Sequence, residues 1–266
     1  DTVPHKRLIE KLRLCGITGK LLKWIEDFLT GRKTRVRVNG SFAEWLEVLS
    51  GVPQGSVLGP LLFLIFVNDL PEWIKANMRM FADDTKIWTV MNVQGKDKEL
   101  QLDLNSLMVW SDKWMRFNPE KCKVMHVGGQ FRTSYQFQNE SGTHTLKETE
   151  EERDLGILVR NDLKQASQCR AAASKAMSVT GLIRRHFKRL DSEDFLILYK
   201  TYVRPHMEFC IQVWSPYLQK DVQILERVQR RATELVNGFS KMKYSERLAR
   251  LGITTLEKKK KRRRSH

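Results

Sequence analysis

The chain has 266 residues, 41% of them hydrophobic, which is enough for one large core or two modest domains. Its net charge of +16, from 47 Lys and Arg against 31 Asp and Glu, favours a polyanionic partner, with a solvated basic exterior as the alternative. The four cysteines are far apart and lack zinc-ligand spacing, and the longest apolar run, 57–67, is shorter than a membrane span, so a zinc site and a membrane partner are excluded.

Two helices are predicted at the start of the chain. Apolar residues recur at helical spacing over 5–14 and again over 20–29. Gly16 and Gly31 follow these segments, in the place where a helix C-cap needs a residue free to adopt a positive φ. The two segments are therefore expected to form separate short helices.

A basic hairpin and a buried helix are predicted next. Residues 34–38 alternate, Asn39-Gly40 is a type I′ turn dipeptide, and residues 42–49 supply the return strand. Residues 57–70 are apolar on every side, which is typical of a helix buried on all faces. We expect this helix to back a sheet.

The segment 78–89 predicts two short strands joined through Asp83-Asp84, since aspartates suit tight turns and project carboxylates from them. Apolar spacing over 98–115 predicts an amphipathic helix that covers one face of this sheet. Further short strands are expected at 121–127 and 155–160. The polar segment between them, 128–152, predicts a poorly ordered loop or a small hairpin.

Beyond residue 162 the pattern predicts helices alone, at 166–186, 193–214, 221–237 and 245–251. Ser192 is the predicted N-cap of the second of these, with Glu193 and Asp194 as first-turn acids. Pro205 should kink or split that helix. The run of basic residues after Leu256 lacks apolar side chains and is expected to be disordered.

Two features suggest chemistry. Adjacent aspartates at a hairpin turn supply part of a two-metal nucleotidyl-transfer site, although Asp83 and Asp84 alone are also explained as ordinary turn residues. The loop 51–60, with sequence GVPQGSVLGP, lets backbone approach a ligand closely and offers the Gln54 amide, but equally suits the ordinary start of a helix.

Together, GVPQGSVLGP and the FADD sequence at 81–84 resemble motifs B and C of reverse transcriptases of the LINE-like, jockey-type, non-LTR retrotransposons. Further segments resemble motif D, the motif E strand, the end of motif A and the thumb helices of that family, at 117–122, 154–157, 1–6 and 198–216. The resemblance covers residues 1–256. It implies an α+β palm, with a small antiparallel sheet backed by helices, over 1–161, an all-helical thumb over 162–256, and a basic tail over 257–266.

The resemblance also implies site residues. Asp83 and Asp84 would hold two Mg²⁺ ions, with Mn²⁺ as a possible substitute, and Lys121 would protonate the leaving pyrophosphate unless it is simply an exposed lysine at a strand start. The binding site for the incoming nucleotide and the template would be lined by Pro53, Gln54, Gly55 and Ser56. The primer end would be gripped by Leu155, Gly156 and Ile157. The implied partners are dNTPs, an RNA template and a DNA primer, bound inside the cell, in the nucleus or the cytoplasm.

Within that family, Asp1 matches the last aspartate of motif A and not the first, so the metal-bridging aspartate, the fingers and the endonuclease are expected to precede this chain. We expect residues 1–266 alone to have little polymerase activity. The alternatives are a non-catalytic nucleic-acid-binding remnant of a retroelement and a product that does not fold stably. The basic tail fits a localisation or RNA-binding segment, or a change of reading frame.

Overall fold

The computed structural model describes residues 2–91, 94–129, 132–139 and 142–256, so the expectations for Asp1 and for the tail 257–266 lie outside the described residues. The chain divides into two compact units. The first contains the described residues of 2–124 and 132–148, and the second those of 125–129 and 149–256. None of the helices in these ranges is both long and apolar enough to cross a bilayer.

The first unit opens with the two predicted helices, α1 (His5–Leu14) and α2 (Gly19–Leu29). Each is followed by the predicted glycine in the left-handed region, Gly16 at φ 83° and Gly31 at φ 67°. Apolar stripes on the two helices pack together in the core, as their helical spacing predicted.

The predicted hairpin follows, in two ladders. The outer ladder pairs β1 (Lys33–Thr34) with β4 (Leu46–Glu47), and the inner one pairs β2 (Arg37–Val38) with β3 (Ser41–Phe42). Asn39 and Gly40 both have positive φ, 48° and 88°, which is the conformation of the expected type I′ turn.

The next helix, α3 (Leu58–Val67), corrects a prediction. It packs against α1 through Leu62 and Phe66, but Leu61 and Leu64 are 52% and 51% exposed. The helix is therefore buried on one side only. An apolar run on every side cannot indicate which side faces the core, because it has no polar stripe to face solvent.

A 3₁₀ turn at Leu70–Trp73 leads to a second hairpin, β5 (Asn77–Phe81) and β6 (Asp84–Trp88). The amphipathic helix α4 (Lys96–Lys113) follows and buries Leu104, Leu107 and Trp110. The helix and both strands were predicted, with boundaries shifted by one or two residues.

The remaining strands of the first unit are β7 (Lys123–Val124), which pairs in parallel with β10 (Lys147–Glu148), and the antiparallel hairpin of β8 (Gln136–Asn139) and β9 (Gly142–Thr145). The hairpin confirms one of the two forms expected for this segment. Helix α4 was expected to cover one face of the β5–β6 hairpin. It packs mainly against β8 and the 3₁₀ turn instead.

The mixed helical and strand composition confirms the α+β class. The predicted single antiparallel sheet is wrong for the described residues, whose strands form separate two-stranded pairs, one of them parallel. The strands are only two to five residues long. Strands this short present only a few outward-pointing backbone groups with which a further strand could pair.

The second unit begins with the hairpin β11 (Glu151–Asp154) and β12 (Ile157–Arg160), after which the described residues contain helices only. The helices are α5 (Ala166–His186), α6 (Ser192–Leu198), α7 (Arg204–Glu208), α8 (Ile211–Trp214), α9 (Gln219–Ala232) and α10 (Tyr244–Leu251). Long helices α5 and α9 pack on each other around small residues such as Ala172 and Ala176.

The predicted helix 193–214 differs from expectation at its start and in its second half. Pro205 lies in the first turn of α7, directly after a π-helical turn at Tyr199–Val203, so the proline changes the helical geometry locally but does not split the helix. The interruption comes after Glu208, where Cys210 has a φ of 48° before α8 begins. The N-cap of α6 is Asp191 and not Ser192, since the Asp191 carboxylate accepts a hydrogen bond from the Asp194 amide at 2.9 Å. Aspartate and serine both favour the N-cap position, so the sequence alone could not decide which of the two residues caps the helix.

Candidate active site

The aspartate pair lies at the tip of the β5–β6 hairpin. Phe81 pairs with Asp84 across the ladder, so the turn consists of Ala82 and Asp83, and Asp84 is the first residue of β6. This corrects the expectation that both aspartates form the turn. The two carboxylates are adjacent and exposed, one carried by the turn and one by a hydrogen-bonded strand.

The turn is strained at Ala82, whose φ is 53°. A positive φ at the first of two turn residues, but not the second, is the pattern of a type II′ turn, which normally has glycine there. Strained non-glycine residues are concentrated at functional sites. The strain at Ala82 therefore indicates that this turn has a function, and this indication does not depend on the two aspartates beside it.

We predict that Ala82→Gly raises the stability of the first unit by roughly 1 kcal/mol, because glycine adopts this φ without a Cβ penalty. Urea unfolding followed by tryptophan fluorescence measures the change. Ala43→Gly, at an exposed position of negative φ in the same unit, is the matched control and should lose about 0.5–1 kcal/mol. Equal losses in both variants would contradict the assignment of strain to Ala82.

The hairpin presents Asp84 on its outward face. Met78 and Ile87 pair on the inward face and contact the core, whereas Arg79, Lys86 and Asp84 lie on the other face because strand residues alternate. The core contacts hold the strands while the carboxylates remain accessible. Basic neighbours on the same face would also attract phosphate groups to this position.

The donor set at this turn suits a hard cation. Magnesium is generally held by one or two carboxylates together with substrate phosphates and water, and two adjacent exposed carboxylates match that requirement. Across the described ranges, no group of three or more His, Cys, Asp or Glu side chains is placed to hold a metal ion. Asp83 and Asp84 therefore carry donor atoms of the kind that a magnesium ion takes.

The glycine-rich loop before α3 is a tightly bonded turn. Its Pro53 carbonyl accepts hydrogen bonds from the Ser56 amide at 3.4 Å and the Ser56 hydroxyl at 2.7 Å, and Gly55 at φ 79° occupies the position that a type II turn reserves for glycine. Ser56 Oγ also accepts from the Gly59 amide at 2.9 Å, which caps the first turn of α3. A Cβ at position 59 would lie 2.7 Å from the Pro53 carbonyl oxygen, so glycine is required there.

Two residues not singled out from the sequence anchor the start of this loop. The Gly51 carbonyl lies 2.9 Å from His5 Nε2 and accepts from Arg32 Nη2 at 2.8 Å, while the Gly51 amide donates to the Val3 carbonyl at 2.8 Å. His5 is buried. His5 and Arg32 thus position the loop, and no local pattern in the sequence reveals contacts between such distant residues.

Lys121 was expected to stand at the start of a strand, but it does not. It ends a 3₁₀ turn, Pro119–Lys121, whose start is capped by the Asn118 side chain accepting from the Glu120 amide at 3.0 Å. The proline at the first position of the turn and the asparagine before it favour this geometry. The Lys121 side chain is exposed, and burial raises the pKa of the neighbouring Cys122 thiol, which favours its neutral form.

The residues expected to grip the primer form the turn of the β11–β12 hairpin in the second unit. Asp154 pairs with Ile157, so Leu155 and Gly156 are turn residues and only Ile157 is in the strand. Leu155 and Gly156 both have positive φ, 44° and 86°, as in a type I′ turn. A Cβ at Gly156 would lie 3.2 Å from the Phe209 ring, so the glycine permits close packing at the turn.

Comparison with known proteins identifies the family. Residues 1–179 match the family described as reverse transcriptase (RNA-dependent DNA polymerase). The chain is 31% identical over 132 residues to the RNA-directed DNA polymerase from mobile element jockey of Drosophila melanogaster, a match covering 46% of this chain and 14% of that protein. It is 34% identical over 134 residues to the probable RNA-directed DNA polymerase from transposon BS of the same species, with the same coverage.

A longer match is to the jockey RNA-directed DNA polymerase of Drosophila funebris, at 24% identity over 252 residues, covering 90% of this chain and 27% of that protein. The chain thus spans between 14% and 27% of the length of these curated relatives. The matched family region includes both the glycine-rich loop and the aspartate hairpin, which confirms the resemblance inferred from those motifs. The chain belongs to the reverse transcriptase (RNA-dependent DNA polymerase) family.

Proposed function

We propose that this chain forms part of an RNA-directed DNA polymerase of a non-LTR retrotransposon, which joins deoxynucleoside triphosphates to a primer on an RNA template. The observation that carries the proposal is the adjacent, exposed Asp83 and Asp84 at the strained tip of a hairpin, within a reverse transcriptase domain. The relatives' printed activities and their mobile-element origin support it.

In this proposal Asp83 and Asp84 hold magnesium. When bound, the two metal ions would activate the attacking hydroxyl and neutralise the pyrophosphate that leaves. The carboxylates' part is to fix and orient the ions, which needs a rigid support. The paired strands β5 and β6, anchored by Met78 and Ile87 in the core, supply that support.

The other site residues take the roles implied by the family. Exposed Lys121 would give a proton to the leaving pyrophosphate. The hydrogen-bonded turn of Pro53, Gln54, Gly55 and Ser56 would hold the nucleotide and template against backbone that glycine leaves open. In the second unit, the tight turn of Leu155, Gly156 and Ile157 would contact the primer end.

We further propose that residues 1–161 act as the palm and residues 162–256 as a helical thumb that holds the template–primer duplex. Basic side chains on the exposed face of α5, among them Arg170, Lys175 and Arg185, support contact with phosphate groups. The RNA template, DNA primer and dNTPs are the partners expected for such a site, and the proposed location is the nucleus or the cytoplasm.

Metal binding by the aspartate pair is testable without turnover. Mn²⁺ added alone to isotope-labelled chain should broaden the amide NMR signals of residues 82–85, because a bound paramagnetic ion relaxes nearby nuclei. Replacing both Asp83 and Asp84 by Asn should weaken this binding about tenfold or more, since even the hydrogen-bond partners of metal ligands are worth 10–100-fold in affinity. Asp112→Asn, an exposed carboxylate on α4, is the control and should leave it unchanged.

Broadening that survives the double substitution, or that centres elsewhere, would contradict the metal site.

The low polymerase activity expected of residues 1–266 alone stays a prediction. Primer extension on an RNA template with Mg²⁺ or Mn²⁺ tests it. Template-dependent incorporation that Asp83→Ala abolishes and Asp112→Asn retains would overturn the expectation of low activity while supporting the roles of the aspartates.

A further inference from the structure

The hairpin of residues 33–47 projects from the first unit without a packed side. Each of its residues is exposed, including Phe42 and Trp45, at 52% and 57%. A hairpin of two strands is marginally stable by itself, and large apolar side chains on one mark an interaction surface. We propose that this hairpin binds a single strand of RNA, with bases against its aromatic rings and phosphates against its arginines.

Side chains of both kinds share one face of the hairpin. Lys33 in β1, Arg35 between the strands and Arg37 in β2 occupy every second position, a spacing that puts side chains of an extended segment on the same side. The return strand carries one more residue between the two ladders than its partner, as in a β-bulge. That bulge lets both Trp45 and Phe42 reach the arginine side.

Ring contacts confirm the shared face. The guanidinium carbon of Arg35 lies 3.8 Å from the centre of the Phe42 ring and 4.4 Å from that of the Trp45 ring, and the guanidinium of Arg37 lies 5.1 Å from the Phe42 ring. Cation–π contact holds these planar groups together at the surface. Alternating aromatic and guanidinium planes form the kind of platform on which unpaired bases stack.

The basic surface continues at the foot of the hairpin. A groove of about 480 Å³ opens there between the start of α1, the end of α2 and β4, and it is lined by Lys6, Arg7 and Arg32 among others. A polynucleotide lying along the hairpin could place successive phosphates on Arg37, Arg35 and the groove. Only Glu44 and Glu47 oppose these cations within the hairpin.

The choice of a single strand follows from the aromatic rings. Bases in a duplex are stacked on one another and cannot lie against Trp45, whereas unpaired bases can. The choice of RNA rests on the proposed function, in which an RNA template must reach the polymerase site unpaired. Binding itself uses none of the aspartates, so its success or failure is separate from that of the proposed catalysis.

The test measures binding of a fluorescein-labelled, unstructured 12-nucleotide RNA to the full chain by fluorescence anisotropy. Trp45→Ala should weaken binding about 5-fold to 100-fold, the worth of one stacked base. Replacing both Arg35 and Arg37 by Ala should also weaken binding. The slope of log affinity against log salt should then fall by about 0.7 for each phosphate that the arginines no longer neutralise.

Matched controls lie in the same unit. Trp24→Ala removes an exposed tryptophan from α2, and joint replacement of the exposed Lys20 and Lys98 by Ala removes two positive charges elsewhere. Both should bind nearly as the wild type does. The proposal would be overturned by hairpin variants that bind no worse than these controls, by weaker binding in the arginine variant alone, or by tighter binding of duplex RNA or of a DNA strand of the same sequence.

Discussion

Replacing Lys11 with alanine is expected to lower the free energy of unfolding of the first unit by about 3 kcal/mol. Lys11 is only 5% exposed, and its ammonium donates to the Phe66 carbonyl and to the Asp69 carboxylate, both at 2.5 Å. It also lies 4.9, 5.0 and 4.2 Å from the ring centres of Phe66, Trp110 and Trp114. Alanine removes all of these interactions and leaves a gap between α1, α3 and α4.

The loss of stability should depend on which side chain replaces Lys11. Burial lowers the pKa of Lys11 and outweighs the hydrogen bond and charge of Asp69, which raise it. The ion pair therefore does not fully offset the desolvation of the ammonium. Lys11→Met keeps the apolar stem against the three rings and has no charge to bury, so we expect a loss of roughly 1 kcal/mol or less.

Urea unfolding followed by tryptophan fluorescence suits this comparison, because six of the seven tryptophans lie in the first unit, all except Trp214. Lys6→Ala, at an exposed position on the same helix, is the control and should change stability by less than about 0.5 kcal/mol. If Lys11→Ala unfolds at the same urea concentration as this control, the buried ammonium does not hold the three helices together.

The fold was most predictable where a single residue type decides the backbone. Asn39-Gly40 and the glycines after α1 and α2 were identified correctly because few other residues adopt a positive φ. The one-sided burial of α3 could not be predicted, since an apolar run does not show which side has a partner. The division of the strands into separate pairs also depends on packing between distant segments, which local patterns do not encode.

The site shows the same division. The motifs correctly located the aspartate hairpin and the glycine-rich loop, but not the strained φ of Ala82, a residue type that would be expected to avoid it. Nor did the motifs reveal that the side chains of His5 and Arg32 contact the Gly51 carbonyl. His5 is 46 positions from Gly51 in the sequence, and Arg32 is 19 positions from it. The support of the candidate site therefore depends on tertiary contacts that the motifs do not encode.

Gln229→Leu is expected to destabilise the second unit by about 2–4 kcal/mol, because it leaves buried polar groups without partners. Gln229 is 2% exposed, accepts a hydrogen bond from the Tyr199 hydroxyl at 2.5 Å, and donates to the Tyr244 hydroxyl at 2.9 Å and the Thr254 carbonyl at 3.1 Å. Tyr244 in turn donates to Glu226. Burial raises the pKa of both tyrosines, so their hydroxyls remain protonated at neutral pH.

Hydrogen–deuterium exchange of the α9 amides measures this loss within the second unit. Gln223→Leu, an exposed glutamine on the same helix, is the control and should change protection by less than about 0.5 kcal/mol. Adding Tyr199→Phe to Gln229→Leu should then restore about 1 kcal/mol, because it removes the hydroxyl that the first substitution left unsatisfied. If the second substitution instead adds a further loss, the cost of Gln229→Leu comes from packing and not from the broken hydrogen bonds.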